Sequence, residues 1–185
     1  MWKKMHRLVF GRDCELKERM LRSIIMVGGL ATIIGIAEIL LIMQLDALLL
    51  AFLVLLLLAM GTSFYVMFKY GKYDLAATLI GLIIIVMVFP VLFLMSGGLD
   101  GGPAIWMALG VFYICVMFTG KKMVAFLVLC GIMYGGTYLL AYYRPELIVP
   151  MSSEAVAYFD SFFSIFAVGM CAGMILKVQM RVFEE

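Results

Sequence analysis

The chain has 185 residues, 66% of them hydrophobic and 14% charged, with a mean hydropathy of +1.15. Soluble domains are about 45–50% apolar and about 25% charged, so this composition excludes a soluble globule, a disordered chain and a secreted disulfide scaffold. The formal net charge of +2 is small, and the information lies in where the charges fall.

Residues 1–22 form a basic cytoplasmic tail. Trp2, Met5, Leu8 and Val9 recur at helical spacing beside Lys3, Lys4 and Arg7, the pattern of a segment lying in the headgroup region. After Gly11, Asp13 reads as the N-cap of a second short helix ending at Arg22. Six apolar stretches follow: Ser23–Met43, Ala47–Phe68, Leu75–Met95, Ala104–Thr119, Met123–Tyr142 and Ala157–Lys177. A bilayer-spanning helix needs about 20 apolar residues, and a lone segment in lipid must satisfy its own backbone, so each reads as a helix. The expected fold is all-α, a six-helix transmembrane bundle over residues 23–177. Residues 178–185 begin a cytoplasmic output helix.

The basic residues orient the bundle. Seven precede the first span. Lys69 and Lys72 follow the second, Lys121 and Lys122 the fourth, and Lys177 and Arg181 lie at the exit of the sixth. With alternating spans, all of these share one face and only Arg144 lies on the other. The expected topology is N-in and C-in. The outer face holds Asp46, Asp100, Glu146 and Glu154, with Trp106, Tyr142, Tyr143 and Tyr158 near its boundary as an interfacial belt.

Little in the chain points to catalysis. His6 is the only histidine and lies in the tail, so no nucleophilic pair or two-His zinc site forms within the spans. Cys14, Cys115, Cys130 and Cys171 lack metal or redox spacing. No phosphate-binding loop is present, and no cofactor, metal or nucleic-acid partner is expected.

Ionisable residues inside spans are functional candidates. Glu38 and Asp160 each lie near the outer end of a span, about 7 Å deep for Glu38 at helical rise, and Arg144 is the one cation on that side. These residues, with Asp100, are the ligand-binding candidates for an unknown small-molecule signal. The alternative reading is a set of hydrated carboxylates at the interface. Ser96-Gly97-Gly98-Leu99-Asp100-Gly101-Gly102-Pro103 is the most distinctive segment, read either as a tight outer turn or as a loop folding over a pocket. Pro103 suits the first turn of span four, and Pro90 should kink span three.

Gly131 and Gly135 in span five, and Gly169 and Gly173 in span six, form GxxxG pairs that allow close helix packing. Cys171, Ile175, Val178 and Val182 are spaced four, three, four, a heptad seam running out of the membrane. The pattern has no Gly, Asn or Pro to close it, so the helix either frays there or continues as a coiled coil into a further domain.

The motif Gly11-Arg12-Asp13, with Leu16-Lys17-Glu18-Arg19-Met20, six spans, Gly-Gly-Leu-Asp-Gly-Gly-Pro before span four and a helix leaving span six, resembles the membrane input region of bacterial sensor histidine kinases. Similar regions precede GGDEF diguanylate cyclase domains. The resemblance implies a plasma-membrane sensor that homodimerises and controls a C-terminal cytoplasmic signalling domain, with no catalysis by the membrane part itself. A second reading is the six-span substrate-binding subunit of an energy-coupling-factor type vitamin transporter, in which Ala31 and Gly35 would dock a partner.

Overall fold

The computed structural model describes residues 47–184 and, before them, residues 21, 22, 25, 26, 29, 32 and 33. The basic tail, most of the expected first span and Glu38 lie outside the described residues. Among those described, the ordered elements are helices and no strand occurs.

The chain runs α1 (Ala47–Tyr70), α2 (Tyr73–Ile83), a π-helical turn (Ile84–Val88), α3 (Phe89–Met95), α4 (Pro103–Met117), α5 (Gly120–Tyr143), a 3-10 turn (Pro145–Leu147) and α6 (Glu154–Glu184). Among the described residues, four helical segments are long and apolar enough to cross a bilayer: Leu50–Met67, Tyr73–Met95, Gly120–Tyr143 and Glu154–Lys177. They support a chain embedded in a membrane. The fifth, α4, is apolar but has only 15 residues, about 22 Å at 1.5 Å per residue against a hydrocarbon core of about 30 Å.

Pro90 acts on span three through its missing N–H. The carbonyl four residues before a proline loses its helical donor and meets the ring. The chain answers with a wider turn just ahead of it, in which the Phe89 N–H reaches back to the Ile84 carbonyl. A π turn inserted in an α-helix has this form, and it divides span three into α2 and α3.

Alternation places the α1–α2 and α4–α5 connections at one end of the bundle. There Lys122, early in α5, pairs with Asp74, early in α2, at 2.6 Å. The core near this end holds Met67, Ala76, Ala77, Ile80, Tyr113, Ile114, Phe118, Phe126 and Ile175, joined by Leu21 and Ile25. Gly81 lets its aromatic residues close up, because a Cβ there would stand 3.0–3.3 Å from Phe126, Tyr113 and Phe118. The Phe118 and Phe126 rings stack with centroids 4.4 Å apart, and the buried Tyr113 hydroxyl donates to the Ala77 carbonyl at 2.8 Å. A second cluster, Val88, Phe89, Phe93 and Met107, fills the other half.

The GxxxG glycines do not make these contacts. Gly131, Gly135, Gly169 and Gly173 have nothing within 4 Å of where a Cβ would stand. Among the described residues, close approach between helices falls instead on Gly81, Gly102 and Gly110, outside the GxxxG pairs of α5 and α6. The inward face of α6 is Ser164, Ala167, Cys171 and Ile175. Cys171 and Ile175, expected to form a seam with a second copy, are therefore buried in the chain's own bundle. A four-residue step fits a core stripe as well as a heptad, and here the core takes it. The side chains of Val178 and Val182 lie outside the described residues.

Candidate functional site

The loop end of the bundle is built on the Gly-rich segment. Gly97 and Gly98 take positive φ, +78° and +61°, where L side chains are strained. This turns the chain out of α3, so that the Gly98 N–H donates to the Phe93 carbonyl at 2.9 Å. Gly101 and Gly102 serve space instead: a Cβ on Gly101 would meet the Ser96 carbonyl oxygen, and one on Gly102 would meet Ser164 and the Asp160 backbone. Pro103 opens α4, as the sequence predicts.

A second loop, residues 144–153, locks onto the first. The Val149 N–H donates to the Leu94 carbonyl at 2.8 Å, and the Gly97 N–H donates to the Val149 carbonyl at 3.1 Å. The two loops thus form one unit over α3, α4 and the start of α6.

The described candidate residues share this end but do different work. Asp160, half-buried, accepts the Gly102 N–H at 2.7 Å. One turn further along both helices, the Trp106 indole N–H donates to Ser164 at 3.0 Å. The equal step on both helices means that α4 and α6 run parallel. Arg144 is exposed and pairs with Glu146, its neighbour but one. This hydrogen bond holds the Glu146 carboxyl below the usual glutamate range. Asp100 is exposed on the loop and lines a cleft.

That cleft has a volume of about 1010 Å³ and lies between the end of α5 and the start of α6, against the two loops. Phe93, Tyr138, Tyr142 and Tyr158 supply its aromatic lining, and Asp100 and Glu154 its charges. The Phe93 and Tyr138 rings pack with centroids 4.8 Å apart. Asp160 and Arg144 are not among its lining residues. Sequence reasoning places Tyr142, Tyr158 and Glu154 at this boundary without joining them into a pocket, and it passes over Ser164 and Tyr138. A serine or tyrosine in an apolar helix carries no periodic signal of its own, and only the packing of α6 on α4 identifies Ser164.

Comparison of the chain with protein-family models, with curated proteins and with solved structures returns no match.

Proposed function

We propose that the chain is a sensory input module of a bacterial plasma membrane. It detects a small-molecule signal at its outer loop end and controls a C-terminal cytoplasmic signalling domain, a histidine kinase before a diguanylate cyclase. The observation carrying this reading is the continuity of α6. It runs 31 residues from Glu154 to Glu184, about 46 Å at helical rise, longer than the roughly 30 Å hydrocarbon core. Its first three turns hold the Gly-rich loop and α4 through Asp160 and Ser164. Its last turns carry Lys177, Arg181 and Glu184. A change at the loop end that alters either tie acts on a rigid element leading to the other end. The membrane part dimerises through α6 beyond the bundle, and a signal shifts two arrangements of that pair by its differential affinity for them.

The test is a chimera of residues 1–185 with the dimerisation and catalytic region of a soluble histidine kinase, reconstituted in lipid. Trp106→Phe and Ser164→Ala each break the second tie and should change autophosphorylation at least threefold in the same direction. Unchanged autophosphorylation in both, with normal insertion, would set this reading aside in favour of the transporter-subunit alternative.

A further inference from the structure

We infer that the cleft between α5 and α6 is a binding site for an organic cation, an amine or quaternary ammonium group on an apolar body. The inference rests on the sensor reading in that it names the chemistry the loop end would detect. Three observations carry it. Among the described residues, the charged side chains lining the cleft are both carboxylates, Asp100 and Glu154, and none is Lys or Arg. Three tyrosine rings face the same space, those of Tyr138, Tyr142 and Tyr158, with the buried Phe93 packed against Tyr138, and aromatic faces attract a cation while accepting its alkyl substituents. The volume, about 1010 Å³, stands at the upper end of small-molecule sites, with Leu99, Ile148 and Met151 as apolar wall. An anion would meet two like charges there with no counter-ion among the described residues, because the nearby Arg144 is held by Glu146. A phosphatidylcholine headgroup offers the same ammonium group but carries a phosphate beside it that Asp100 and Glu154 repel, so the occupant is a free cation rather than a lipid headgroup.

The test uses the full chain in maltoside micelles, with radiolabelled hexyltrimethylammonium in equilibrium dialysis. Saturable uptake of one probe per chain is expected. The double variant Asp100→Asn with Glu154→Gln should weaken it tenfold or more, and Tyr158→Leu by about fivefold, the scale of one cation–π contact. Tyr158→Phe, which keeps the ring, should bind as the parent does. Hexanesulfonate should not compete, nor should short-chain phosphatidylcholine. Uptake that does not saturate, that survives the carboxylate substitutions, or that hexanesulfonate displaces would overturn the inference. Displacement by phosphatidylcholine alone would reassign the site to a lipid. None of these outcomes bears on kinase output in the chimera, so the ligand class and the sensor reading fail separately.

Discussion

Asp160 holds the N-terminus of α4 through Gly102, 58 residues before it in the chain, with its carboxylate 2.7 Å from the Gly102 backbone nitrogen. This answers the question an intramembrane carboxylate raises. The lysines of the described spans, Lys121, Lys122 and Lys177, stand at the opposite end of the bundle and cannot neutralise it. The first N–H groups of a helix have no internal partner and carry partial positive charge. Because α4 is short, its N-terminal end lies alongside α6 rather than beyond it, with Gly101, Gly102 and Pro103 buried. Irregular backbone at that depth is tolerated only where protein groups satisfy it. The carboxylate and the helix end meet each other's need.

Removal of that acceptor should therefore be costly. Asp160→Ala leaves the Gly102 N–H without its partner and should lower stability by about 1.5–3 kcal/mol, the range for hydrogen bonds to charged groups. Asp160→Asn keeps an acceptor oxygen and should cost less. Reversible unfolding in mixed dodecyl sulfate micelles measures both. A value for Asp160→Ala within about 0.5 kcal/mol of the parent, the range of neutral surface changes, would remove the anchoring role.

The glycines divide into two groups that substitution should separate. Gly110 lies against Tyr134 and Phe89, so Gly110→Ala overpacks the core and should destabilise by about 1–3 kcal/mol. Gly131→Ala and Gly169→Ala meet open space and should leave the single chain unchanged or slightly more stable, since alanine favours a helix over glycine by about 1 kcal/mol. The same unfolding assay decides. Loss of stability at Gly131 or Gly169 that grows with protein concentration would show these faces at work between chains.

These contrasts mark what the sequence made legible. Long apolar runs fix where helices lie, and the bounds of α1, of span three from the start of α2 to the end of α3, of α4 and of α5 fall within three residues of those read from the sequence. Pro103 and Pro90 act through a single backbone group each, so their effects were readable without neighbours. Which glycine packs depends on what stands opposite, and a GxxxG pair says nothing of that. The partner of Asp160 is a backbone N–H, which no sequence pattern marks. The stripe through Cys171 and Ile175 has a spacing common to cores and coiled coils, and only burial separates them.

The exposed pair at the loop end has a definite pH signature. Arg144 lowers the Glu146 carboxyl by hydrogen bonding to its charged form. A carboxyl depressed in the folded state contributes stability above its unfolded value, about 4.3, and loses it as pH falls through the folded value. Carbon NMR of the 13C-glutamate-labelled chain should find Glu146 titrating below the other exposed glutamates. Arg144→Gln should return it to their range. Equal titration in parent and variant would mean that the pair is not kept in solution.

Orientation can be settled by reporters. The Lys122–Asp74 pair joins two connections at one end of the bundle, and the interlocked loops join two at the other. Alkaline phosphatase fused after Met95 or Tyr143 should be active outside the cell, and fusions after Tyr70 or Lys122 should be inactive. Activity after Tyr70 together with silence after Met95 would invert the topology expected from the basic residues.

α6 is one continuous helix from the loop end to Glu184. Within the bundle its inward stripe, Ser164, Ala167, Cys171 and Ile175, is fixed against the chain's own core, so α6 responds as a body to what happens at Asp160. Beyond the bundle the same stripe continues in sequence through Val178 and Val182, where a second copy is the proposed partner. Met180 lies off the stripe and is exposed. In a chain with its native cysteines replaced, Val178→Cys and Val182→Cys should crosslink between copies in membranes, and Met180→Cys should not. Phase gives an independent check. One residue inserted after Lys177 turns everything beyond it by about 100°, whereas seven residues restore the face to within about 20°. In the kinase chimera the single insertion should reset autophosphorylation and the seven-residue insertion should restore it. If α6 acted only as a tether, both insertions would be silent, and crosslinking would be equal at all three positions.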